Sequence, residues 1–221
     1  MATLQLTWDQ RRVDGMWAWD LGNEHLRARI IRSYGKKSIH TAYLGPLHGE
    51  YYPGIVILKT AEGTDRVHHL TREAEMYKGP LKNLQGKVVP KCFGFYTGKR
   101  NGVDLGCLVL EYCSGPNPVT HLQQFNERVM VAACRLHEAG VFHGNLVEGS
   151  HFVKSDDDRV RIVDFSTATL HKCPGAHPAL TSGSQSDAIQ CPELVKIEKV
   201  FGYRGDAQAM RARLKPQQRL W

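Results

Sequence analysis

Apolar and polar positions first settle into a regular pattern at 54–60, Gly-Ile-Val-Ile-Leu-Lys-Thr, a short β-branched run after a Pro-Gly break that predicts a buried strand. The period then changes. Val67, Leu70, Ala74 and Tyr77 recur at three- and four-residue intervals, which lines one face of a helix over Thr64–Lys78, and Gly79-Pro80 ends it. Two β-rich runs follow, at 88–96 and 106–112, with Gly-Lys-Arg-Asn-Gly between them, and they predict a hairpin. Over 120–139, Leu122, Phe125, Val129, Ala133 and Leu136 return to a helical period. Thr120 and Gln123 form a capping box there, and Gly140 suits a left-handed stop. Val141-Phe142, Phe152-Val153 and 159–165 predict short β segments, and Pro192 opens a last helix over 192–200. Asp156, Asp157 and Asp158 form a turn between the last two β segments. Adjacent carboxylates on such a tip point different ways, so they read as solvated rather than as metal ligands.

The order is a strand-rich first part with one inserted helix, then a more helical second part. Ser-Gly-Pro-Asn-Pro at 114–118 makes a hinge between them, so the 221 residues divide into a first lobe at 1–113 and a second at 114–221. A hydrophobic content of 42% supports a packed core. No apolar run is long enough to span a membrane, and the first residues lack the layout of a secretory leader. The six cysteines contain no Cys-x-x-Cys pair and predict reduced thiols, hence a soluble protein of the cytoplasm or nucleus. The net charge is +7, but the basic residues are scattered apart from Arg204, Arg211, Arg213, Lys215 and Arg219 in the tail. With neither zinc-finger spacing nor an aromatic-basic pattern, nucleic acid is not the expected partner.

Chemistry concentrates in two stretches. Leu136-His137-Glu138-Ala139-Gly140-Val141-Phe142-His143-Gly144-Asn145-Leu146 is followed by Arg161-Ile162-Val163-Asp164-Phe165-Ser166. Together they resemble the catalytic turn and the metal-binding Asp-Phe-Gly of the protein kinase superfamily, in particular small fungal kinase-like proteins and relatives of the aminoglycoside- and choline-kinase type. The resemblance covers roughly 31–200. It implies an α+β, two-lobed fold: a five-stranded antiparallel N-lobe sheet with one helix, and a C-lobe that the short remaining sequence leaves truncated and mainly helical.

The resemblance also assigns sites. Lys59 would hold the α- and β-phosphates of ATP and Glu73 would orient it, with Glu75 the competing partner. Tyr77 would pack against the second lobe. Gly35, beside Lys36 and Lys37, would be what remains of a glycine-rich loop. Glu111 and Cys113 would face the adenine at the hinge, under which Ile57 narrows the pocket. Asp164 would hold Mg²⁺, and Cys191-Pro192-Glu193 resembles the close of an activation segment.

The departures matter as much. Asn145, beside His143 in the catalytic turn, stands where the catalytic Asp belongs, and an amide offers no basic lone pair. His151 stands for the metal-binding Asn and suits Mg²⁺ poorly. The expected function is therefore a pseudokinase or strongly impaired phosphotransferase that binds nucleotide, a protein partner, or both. The alternatives are an active atypical kinase for protein or small-molecule hydroxyls, and a basic interaction protein that binds no nucleotide.

Overall fold

The computed structural model describes residues 1–8, 13–18, 23–34, 38–46, 54–113, 122–147, 151–154, 159–174 and 191–201. The predicted hinge at 114–118, the cap Thr120, the three aspartates at 156–158, the loop residues Gly35, Lys36 and Lys37, and the basic tail lie outside them. Two compact units emerge. The first comprises 1–75 with 91–112, and the second comprises 76–90 with the described residues from 113 onward.

In the first unit, β1 (Ala2–Thr7), β2 (Val13–Ala18), β3 (His25–Tyr34), β4 (Ile39–Pro46), β5 (Gly54–Glu62), β6 (Cys92–Arg100) and β7 (Val103–Glu111) close into a barrel in the order β1-β2-β6-β7-β5-β4-β3. Six of its seven seams are antiparallel, whereas β1 runs parallel to β3, from Thr3 opposite His25 to Thr7 opposite Arg29. Burial alternates along β1 and β2 as the pleat requires, turning Ala2, Leu4, Leu6, Met16 and Ala18 into the interior. Ala28 and Ala42 do the same from β3 and β4, and Val56, Leu58, Tyr96, Cys107 and Val109 complete the core. Small residues at inward positions leave room for a tight barrel.

This overturns the expected two-lobed architecture. Instead of a five-stranded antiparallel sheet, the first unit is a closed, mixed barrel of seven strands. Among the described residues only three α-helices occur: α1 (Thr64–Lys78), α2 (Leu122–Glu138) and α3 (Pro192–Phe201). The cause is local to the amino-terminal strands. β1 and β2 add a hairpin, and the parallel return of β1 onto β3 satisfies edges that an open sheet would expose.

In the second unit, α2 ends where Gly140 takes a φ of +76°, and β8 (Val141–Phe142) follows and pairs with β11 (Thr169–Leu170). β9 (Phe152–Lys154) and β10 (Val160–Ile162) form the predicted short hairpin. α2 buries Val129, Ala133 and Leu136, and α3 buries Leu194 and Ile197. Arg161 is almost fully enclosed, and its guanidinium donates to the carbonyls of Lys87 (3.0 Å) and Gly86 (2.8 Å). Those bonds offset the cost of burying the charge and tie β10 to the 82–89 turn.

Candidate functional site

Lys59 sits on β5 with Leu108 of β7 and Ile39 of β4 as its ladder neighbours. Its ammonium donates to both carboxylate oxygens of Glu73 on α1, at 2.7 and 3.0 Å. The two side chains are only 11% and 3% exposed. Glu75 is exposed, so the two glutamates left open by the sequence are resolved in favour of Glu73. A buried pair of this kind gains little net stability, because desolvation of both charges opposes their attraction. Glu111 is committed locally: its N–H donates to the Lys91 carbonyl (2.8 Å) and its carboxylate accepts from the Lys91 N–H (2.9 Å). Ile57 is buried and Cys113 half-buried.

The second unit brings His143, Asn145 and Asp164 together. After β8 the chain turns sharply at Gly144, whose φ is +87°; a Cβ there would meet the Thr167 carbonyl oxygen at 3.1 Å. Thr167 in turn donates its hydroxyl to the His143 carbonyl (2.9 Å). The His143 ring is fully buried and bonds through Nε2 to the Val163 carbonyl (3.0 Å). A carbonyl only accepts, so Nε2 carries the proton and Nδ1 faces the Asn145 N–H at 3.4 Å. Burial pushes the His143 pKa down to about 4, against the opposing pull of the Val163 bond. The ring is thus a neutral strut at ordinary pH rather than a proton shuttle.

Asp164 follows immediately, with a φ of +68° that a non-glycine residue seldom adopts. Its carboxylate accepts from the Ser166 N–H at 3.4 Å. Phe165 is buried, edge-on to Tyr77 (5.5 Å between centroids) and to His143 (5.2 Å). Tyr77, placed by the sequence in a first lobe, belongs to this same second unit.

A residue that sequence reasoning treated only as the end of a segment anchors the turn. Glu193, in the first turn of α3, accepts from the backbone N–H of His143 (2.9 Å) and of Gly144 (2.7 Å), and from Nε2 of His137 (2.9 Å). Burial alone would raise its pKa, but these three donors hold it below the usual carboxylate value. A carboxylate reaching amides 50 residues away leaves no local signature in sequence.

Taken unit by unit, the residues offer only some of the donors that ATP and Mg²⁺ would need: Lys59, in the first unit, would suit phosphate oxygens, and Asp164, in the second, would suit one hard cation. His151 is a different matter: its ring lies 5.1 Å from that of His143. In the kinase pattern His-Arg-Asp-x-x-x-x-Asn the amide ligand comes five residues after the acid, a spacing that from Asn145 reaches position 150, outside the described residues, and not His151. Asn145 offers an amide and no base. No helix among the described residues is long and apolar enough to cross a membrane. Compared with known proteins, the chain matches no protein-family model and none of the curated proteins.

Proposed function

We propose that this protein is a nucleotide-binding module whose phosphotransfer machinery is impaired, and that it serves through binding nucleotide, a protein partner or both more than through turnover. The observation that carries the reading is the buried two-pronged bond between Lys59 and Glu73. An enclosed lysine held in one orientation by a carboxylate is a group prepared for an anion rather than a device for stability. The turn at 143–145 supports the impairment. It is tightly built, by Glu193, Thr167 and Val163, around an amide where proton acceptance needs a carboxylate. The barrel of the first unit differs from the fold that the sequence resemblance implied. Six thiols, with no disulfide among the described residues, favour a reducing compartment, cytoplasm or nucleus.

The test is turnover of Mg²⁺-ATP by the full chain beside Asn145→Asp. The wild type is expected to release phosphate far below the ~1–100 s⁻¹ of working kinases. Restoring the acid is expected to raise the rate ~10²–10⁴-fold. Wild-type turnover within the kinase range would refute the impairment and favour an active atypical kinase.

A further inference from the structure

Four side chains in the second unit converge outside the 143–164 constellation: His137 in the last turn of α2, His171 and Cys173 just after β11, and Cys191 immediately before α3. Their candidate ligand atoms all lie within 4.8 Å of one another. His137 Nδ1 is 3.1 Å from His171 Nε2 and 3.4 Å from Cys191 Sγ, and Cys191 Sγ is 3.8 Å from His171 Nε2. A tetrahedral zinc ion at its ordinary bond lengths sets nitrogen–nitrogen edges of about 3.4 Å, nitrogen–sulfur edges of about 3.6 Å and sulfur–sulfur edges of about 3.8 Å. The three separations among His137, His171 and Cys191 lie close to those values, and Cys173 Sγ lies within 4.8 Å of the other three ligand atoms.

The tautomer of His137 supplies a second, independent indication. Its Nε2 meets the Glu193 carboxylate at 2.9 Å, and a carboxylate can only accept, so Nε2 bears the proton. In the neutral ring the lone pair of Nδ1 is then directed at His171 and Cys191. A histidine that donates one nitrogen to a carboxylate and offers the other to a metal is the usual arrangement at zinc centres. Charge points the same way. His137 and Cys191 are buried, and two thiolates with two neutral imidazoles bring a divalent ion to zero net charge.

We propose that His137, His171, Cys173 and Cys191 form a structural zinc site. Binding displaces one proton from each thiol to solvent; no electron moves. With all four positions filled by protein, no place remains for water or substrate, which marks the site as structural rather than catalytic. The ion would cross-link the end of α2, the segment after β11 and the start of α3. Through the His137–Glu193 bond it would also steady the carboxylate that holds the turn at His143 and Gly144. The inference is independent of nucleotide binding.

The test uses the full chain without a histidine tag, purified under reducing conditions and analysed for metal by mass spectrometry. One equivalent of zinc is expected, retained by Cys92→Ser in the first unit and reduced at least about tenfold in Cys173→Ser/Cys191→Ser. To keep the test valid if the double variant does not fold, zinc is also stripped from the wild type and replaced by Co²⁺. Tetrahedral d–d bands with a thiolate-to-metal charge-transfer band, saturating at one equivalent, are expected. A folded wild type that carries no zinc and gives no thiolate band with Co²⁺ overturns the proposal, as does zinc retained in full by the folded double variant.

Discussion

Replacing Glu193 removes an acceptor shared by three donors, one on α2 and two in the 143–144 turn, and its consequence can be worked from the geometry. The carboxylate takes hydrogen bonds from His137 Nε2 and from the N–H groups of His143 and Gly144. Gly144 is exposed, so its amide can turn to water, whereas His137 and His143 are 1% and 0% exposed. Glu193→Ala therefore strands two buried donors at about 1–3 kcal/mol each, or about 2–6 kcal/mol in all. Glu193→Gln is milder. With its carbonyl oxygen placed where Oε2 now lies, it keeps both buried donors and turns its NH₂ against Gly144, for a loss of about 1–2 kcal/mol. Urea unfolding measures both, read as a shift of midpoint at constant m. Amide exchange at His143 and Gly144 should accelerate in parallel. If Glu193→Ala unfolds within about 0.5 kcal/mol of wild type, as an ordinary surface substitution does, the anchoring role is wrong.

Further outcomes follow from the same contacts. His143 has its folded pKa held at about 4 by burial, below an unfolded value near 6.5. Its contribution is therefore complete above pH ~6.5 and lost as the pH falls toward 4, roughly 3 kcal/mol in total. Urea midpoints at both ends of that range should show this slope in wild type, and a slope unchanged in His143→Gln would contradict it. Gly98→Ala on β6 would put a Cβ 2.7 Å from the Gly15 carbonyl oxygen, at the seam where Trp17 of β2 meets Thr97. An overpacking loss of about 1–3 kcal/mol is expected in urea unfolding, and a neutral result would show that the seam yields.

How much of this was legible in the sequence depends on how local each feature is. The ends of α1 are legible because apolar spacing and the Gly79-Pro80 stop are local signals. The pairing of β6 with β7 is also legible but its bounds are not: β6 starts at Cys92 and runs on to Arg100, leaving Asn101 and Gly102, both at positive φ, as the turn. The barrel was not. β1 and β2 do alternate, but Ala2 and Ala18 carry so little hydrophobicity that the alternation is faint, and the parallel pairing of β1 with β3 has no local code. Within the sites, Lys59 and Glu73 could be paired because a strand and the next helix present them. Glu193 could not, since it acts on amides far away in the chain. Nor could His137, His171, Cys173 and Cys191, because no two cysteines sit at a metal-binding spacing and only folding brings the four together.

Whether Lys59, held by Glu73, receives a nucleotide decides the proposed function. Calorimetric titration of the full chain with Mg²⁺-ATP measures this directly, beside Lys59→Met/Glu73→Gln, which removes both charges together and so leaves neither buried alone. Saturable binding at one site in the wild type, weakened at least about tenfold in the double variant while its urea midpoint holds, is the predicted result. A wild type that takes up no heat of binding, or a double variant that binds as tightly, would contradict it.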